Sequence, residues 1–124
     1  MAFAGKWNKT AVEGGAAFFA ACGISDDKLA AAEALVSTEV TEDGDNYCFN
    51  RTYGNGQTST MKFTIGAESD FEGPAGPVKA TVSRDGGALK ASVAGIDAAL
   101  EVVGGQFVES WSAGGATFKR ISSK

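Results

Sequence analysis

QFVESWSAGGATFKRISS, residues 106–123, consists of two alternating segments joined at Gly114-Gly115. In an extended strand, residues two apart face the same side. Phe107, Glu109 and Trp111 therefore form one stripe, and Phe118, Arg120 and Ser122 form another. Each stripe sets a single charge among large apolar neighbours, and Tyr47, Phe49, Arg51 and Tyr53 repeat the arrangement upstream. A buried unpaired charge costs several kcal/mol, comparable with the whole net stability of a small domain. Such charges persist when they are paired, hydrated or answered by a ligand, unless the stripe is the solvent face of a sheet. The pattern points to a lined cavity better than to a solid core.

Working outward, turn signals recur about every eight to twelve residues from residue 37 onward, the spacing of short antiparallel strands. They include Asp43-Gly44-Asp45-Asn46, Gly54-Asn55-Gly56, Gly66, Gly73-Pro74-Ala75-Gly76-Pro77, Asp85-Gly86-Gly87, Gly95 and Gly104-Gly105, residue types that allow positive φ or preset a turn. About nine strands follow residue 36, and Phe3 to Val12 reads as one more. Residues 14 to 36 break the pattern. Ala16–Cys22 and Lys28–Leu35 are alanine-rich without alternation, predicting two short helices separated at Gly23. Ser25 is placed to cap the second through its hydroxyl, with Asp26 and Asp27 in the first turn. A meander of ten strands closes most economically as an up-and-down barrel, because closure removes exposed edges. At ten strands it is too wide for side chains to fill. The helix pair is then a lid over one end; a two-sheet sandwich with a dry core is the alternative.

At 124 residues the chain is expected to be a single domain, 1–124, with the lid at about 14–36. A net charge of −4 with scattered acidic residues argues against nucleic acid as a partner. The absence of histidine removes the usual general base and the commonest metal ligand; neither a metal site nor a cofactor is expected, and the chain reads as a non-enzyme. Cys22 and Cys48 lack metal-ligand spacing and read as small apolar residues. With no signal-peptide or membrane-length apolar run, a cytoplasmic protein is expected. Asn8-Lys9-Thr10 and Asn50-Arg51-Thr52 match the glycosylation pattern by chance in such a chain.

Met1-Ala-Phe-Ala-Gly-Lys-Trp7, Gly23-Ile24, Phe63-Thr64-Ile65-Gly66 with Glu68, Lys79-Ala80-Thr81-Val82 and Phe118-Lys119-Arg120-Ile121-Ser122 together resemble the intracellular lipid-binding proteins along the whole chain. Tyr53-Gly54-Asn55-Gly56-Gln57-Thr58, and Glu101-Val102-Val103-Gly104-Gly105 with Val108-Glu109, are most similar to the liver fatty acid-binding and ileal or liver bile acid-binding branch. The resemblance implies a mostly β, ten-stranded antiparallel barrel with a helix-turn-helix lid between its first two strands, and an internal cavity holding an amphipathic ligand. The family's carboxylate-binding arginine on the last strand falls on Arg120. The tyrosine and second arginine of the heart and adipocyte kind fall on Ser122 and Leu100, a departure that favours the liver and ileal kind of pocket. The polar tryptophan and glutamine of the ileal kind fall on Phe49 and Arg51, and its fourth-strand asparagine on Met61. Gly14-Gly15 stands where the family commonly has an aromatic residue facing the ligand, predicting a looser portal.

Under this reading the ligand-facing residues are Phe49, Arg51, Tyr53, Met61, Phe63, Phe71, Val82, Leu89, Val93, Leu100, Glu109, Trp111, Phe118, Arg120 and Ser122. Arg120 would hold a carboxylate or sulfonate, and Glu109 would pair with it in the empty protein. Arg51 faces inward unless a one-residue bulge turns it out. Trp111 and Tyr53 form wall or rim, and Trp7 closes one end. The expected function is cytosolic binding and transport of a hydrophobic anion, a long-chain fatty acid or bile acid, by a monomer that makes at most transient membrane contact through Lys28. The competing reading is a protein-interaction or structural barrel with a vestigial cavity.

Overall fold

The computed structural model describes residues 3–73, 76–93 and 95–124, excluding the side chains of residues 72, 73, 76, 77 and 93. Strand β1 (Gly5–Glu13) leads into helices α1 (Gly15–Cys22) and α2 (Asp26–Glu33). Ten strand segments follow: β2 (Leu35–Asp43), β3 (Asn46–Tyr53), β4 (Thr58–Thr64), β5 (Glu68–Gly73), β6 (Gly76–Thr81), β7 (Ser83–Asp85), β8 (Ala88–Val93), β9 (Ile96–Val103), β10 (Gln106–Ala113) and β11 (Ala116–Ser123). Pairing is antiparallel throughout, in the order β4-β3-β2-β1-β11-β10-β9-β8-β7, with β5 and β6 as a separate hairpin. Val82 alone separates β6 from β7, and its carbonyl accepts from Gly66 N–H at 2.9 Å. The two segments are one strand broken at that residue, so the ten-stranded expectation and the eleven observed segments describe the same meander. β5 lies against β4, and β6 against β8. The Gly73 to Pro77 turn falls largely outside the described residues.

Inward side chains are arranged in layers set by the cross-strand register. Phe3, Trp7, Tyr47, Phe49, Phe63, Phe71 and Phe107 are buried at the end opposite the helices, with neighbouring ring centroids 5.2–6.1 Å apart. Trp7 closes this end as expected, and its Nε1 donates to Phe3 O at 2.8 Å. At the helix end, Phe18 and Phe19 of α1 meet Phe118, which stacks on Trp111. No helix among the described residues is long and apolar enough to cross a membrane.

The helical segment corrects the sequence reading in three places. α2 runs Asp26–Glu33, with Asp26 and Asp27 in its first turn as expected, but it ends two residues before Leu35, which is a fully buried strand residue. Its end is set by long-range bonds that alanine content does not encode: Ala32 O accepts from Arg120 Nη1, Glu33 O from Lys9 Nζ, and Ala34 O from Gly54 N–H. Ser25 occupies the N-cap position without making a side-chain capping bond; it bonds the Asp27 carboxylate instead, lowering that pKa.

Gly14 and Gly15 do not loosen the portal. They bring α1 closer to the barrel. Gly14 has φ +71°, and a Cβ there would lie 2.1 Å from Thr117 O; one on Gly15 would lie 2.8 Å from Leu29 Cδ1. Left-handed backbone and a rigid carbonyl both oppose a side chain at Gly14. Gly14→Ala is expected to destabilise the protein by about 2 kcal/mol or more, measured by urea denaturation. Gly44→Ala, which has positive φ but open space around it, should cost about half as much.

Candidate ligand-binding site

Strands β3, β10 and β11 point one charged side chain each into the same layer between the aromatic floor and the helix end. Register places Glu109 opposite Arg120 on one side and Leu100 on the other, while Arg51 pairs with Thr38. Glu109 has no exposed surface, and Arg51 and Arg120 are 4% and 5% exposed. Arg51 Nη2 donates to Glu109 Oε1 at 2.7 Å, and Nη1 to Thr38 Oγ1 at 3.1 Å. Arg120 forks onto the same carboxylate, with Nε to Oε2 at 2.9 Å and Nη2 to Oε1 at 3.2 Å. Its third bond, Nη1 to Ala32 O at 3.2 Å, reaches the last turn of α2, where the helix dipole favours a cation. Each guanidinium also sits over a ring, Arg51 5.3 Å from the Phe49 centroid and Arg120 5.1 Å from that of Trp111.

Burial alone would raise the pKa of Glu109. The guanidiniums of Arg120 and then Arg51 outweigh it and hold the carboxyl at about 2, against an ordinary 4.5. The charges marked by the three stripes are thus answered in large part by one another. The bulge between β2 and β3 falls between Leu35 and Ser37, just beyond the Thr38–Arg51 pair, and the register is regular from Ser37 to Asp43, so Arg51 keeps its inward direction.

Around this layer, Phe49, Met61, Phe63, Phe71, Val82, Leu89, Leu100, Trp111, Phe118 and Ser122 are all buried. Phe63 and Phe71 belong to the aromatic floor, away from the ion cluster. Tyr53 is half-buried, its hydroxyl 3.5 Å from Ser59 Oγ. The Val93 side chain lies outside those described. Two buried polar atoms have no hydrogen-bond partner among the described residues, Trp111 Nε1 and Ser122 Oγ. The row through Trp111 continues into Ala98 and Ala91, and both alanines border a groove of about 740 Å³ between β6 and β8–β10.

Thr38 and the Ala32 carbonyl complete the cluster, yet neither stood out in the sequence. The alternation Thr38, Val40, Glu42 was the available signal for Thr38. A backbone carbonyl carries none.

Residues 1–124 match the model of the Lipocalin / cytosolic fatty-acid binding protein family. Gastrotropin of Sus scrofa is 33% identical, the alignment covering 100% of this chain and 98% of the relative. The liver-type fatty acid-binding protein of Epinephelus coioides is 32% identical, covering 100% and 99%. Among solved structures, zebrafish ileal bile acid-binding protein complexed with cholic acid is 36% identical with a TM-score of 0.82, covering 100% of this chain and 99% of its own. The REP1-NXSQ fatty acid transporter is 25% identical with a TM-score of 0.81, covering 98% and 94%.

The ion cluster sets an acid limit. Because the folded pKa of Glu109 is depressed, its contribution is fully present above pH 4.5 and is lost as pH falls toward 2; integrated over that window it amounts to roughly 3 kcal/mol. Urea denaturation at successive pH values should show this loss. Glu109→Gln should flatten it while lowering stability at pH 7 by about 3–5 kcal/mol, because two buried guanidiniums lose their shared carboxylate.

Proposed function

The chain belongs to the lipocalin / cytosolic fatty-acid binding protein family, and we propose that it is a cytosolic carrier of a hydrophobic anion, a long-chain fatty acid or a bile acid, held non-covalently in the barrel interior. The observation that carries this reading is the state of Arg120. A guanidinium offers five N–H donors in a planar fork. Arg120 commits three of them, two to Glu109 and one to Ala32 O, so donors remain for an incoming carboxylate or sulfonate in a site from which water is largely excluded. Charge-assisted bonds of this kind are short and strong.

The apolar wall supplies most of the affinity, at roughly 0.025 kcal/mol for each Å² of ligand surface removed from water. The polar layer then sets orientation, with the anionic head at the level of Arg120 and the apolar body extending toward Trp111 and the helices. Nothing in this reading requires a reacting group, and no turnover is expected. The family relationship and the ligands for which the relatives are named support binding; the cytosolic location and the monomeric state belong to the same proposal.

The test is displacement of a fluorescent fatty acid analogue from delipidated protein by oleate and, separately, by a bile salt, in the parent and in Arg120→Ala. Displacement weakened about tenfold or more in the variant is the expected result. The stronger competitor names the ligand class. Failure of the analogue to bind, with no shift in melting temperature from either competitor, would overturn the carrier reading in favour of a barrel that serves as an interaction domain.

A further inference from the structure

The two tryptophans differ in one respect. Both are buried, at 2% for Trp7 and 4% for Trp111. Trp7 uses its indole N–H, donating to Phe3 O at 2.8 Å. Trp111 does not, and its Nε1 has no partner among the described residues. An indole nitrogen is a donor only, and an unsatisfied buried donor is costly. Nor is the ring free to swing toward a partner. It stacks on Phe118 at 5.3 Å and 20° and carries the Arg120 guanidinium on its face, while Phe18 and Phe19 hold Phe118 from α1.

The donor is therefore fixed, dry and unpaired, beside a row of small residues. Ala98 is the register neighbour of Trp111, and Ala91 that of Ala98. Along β10, Trp111 stands two residues from Glu109, about 7 Å, on the helix side of the ion cluster.

We infer that Trp111 Nε1 donates a hydrogen bond to an oxygen on the body of the bound ligand, about one residue row from the group held by Arg120, and so selects ligands oxygenated at that distance over plain apolar ones. Ser122 Oγ, the other unpartnered buried atom, takes no part in this. It lies a row the other way, beside Phe107, and a hydroxyl that both donates and accepts discriminates less. The inference rests on the carrier reading and specifies the chemistry of its ligand.

Two steroid acids make the test, cholate and 5β-cholanate, which share a skeleton and a carboxylate and differ in the ring hydroxyls. Trp111→Phe keeps an aromatic ring, though a smaller one, and removes the N–H. It should weaken cholate about tenfold more than it weakens cholanate, since both ligands share the apolar contact that the smaller ring gives up. In the unsubstituted protein the Trp111 indole N–H proton resonance should move downfield on adding cholate and stay nearly in place with cholanate, with Trp7 as internal reference. Equal weakening of both ligands, or of neither, overturns the inference, as does an indole resonance that cholate leaves unmoved. So does binding of oleate with no binding of either steroid acid, which leaves the carrier reading standing. Absence of binding by all three fails the carrier reading itself.

Discussion

The complete removal of the Glu109 carboxylate from water is the constraint around which this barrel is organised. A buried carboxylate is tolerated only when its charge is neutralised and its lone pairs are taken up. Here the answer is assembled from distant parts of the chain: Arg51 from β3, Arg120 from β11 and, behind Arg51, the hydroxyl of Thr38 from β2. One side chain thereby fixes the register of three strands. A slip of one residue in β3 or β11 would turn its arginine to solvent and leave the carboxylate less than fully paired, so the cluster contributes specificity of pairing as well as energy. It also extends beyond the sheet, because Arg120 bonds α2 as well.

The layers on either side follow from the same period-two geometry. Strands that put Glu109 and Arg120 inside also put Phe107 and Ser122 on the floor side, Trp111 and Phe118 on the helix side. Aromatic clusters therefore bracket the charges from both directions, and two of the rings lie directly against the guanidiniums. Such contacts favour the charged form of arginine while excluding water. A low-dielectric layer with fixed charges and directed donors is a setting in which small differences in ligand polarity translate into large differences in affinity.

Much of this was legible in the residues. The stripes 47–53, 107–111 and 118–122 marked inward faces correctly because period two survives wherever a strand is regular, and the glycine-rich turns located nearly every hairpin. What escaped notice depends on contacts between distant segments. The interruption at Val82 reflects a carbonyl diverted to Gly66, and the end of α2 reflects three donors from β1, the β3–β4 turn and β11. The glycine pair at 14 and 15 was open to two opposite interpretations, missing bulk or permitted closeness, and only the position of Thr117 O distinguishes them. The direction of Arg51 likewise depends on the β2–β3 register, whose irregularity falls between Leu35 and Ser37, one pair beyond Thr38–Arg51, and leaves that arginine inward.

The three bonds at the end of α2 have a mechanical consequence. All of them gather on the carbonyls of Ala32, Glu33 and Ala34, while the opposite end of the helix, at Ser25, makes no side-chain cap. A rigid rod pinned at one end moves by rotation about the pin. Any excursion of α2 that keeps these bonds intact is a swing whose axis passes beside Arg120, with its largest amplitude at the Ile24–Asp27 end. The aperture this sweeps would open farthest from the charged layer, so a molecule could pass the helices apolar end last without the ion cluster being exposed to water.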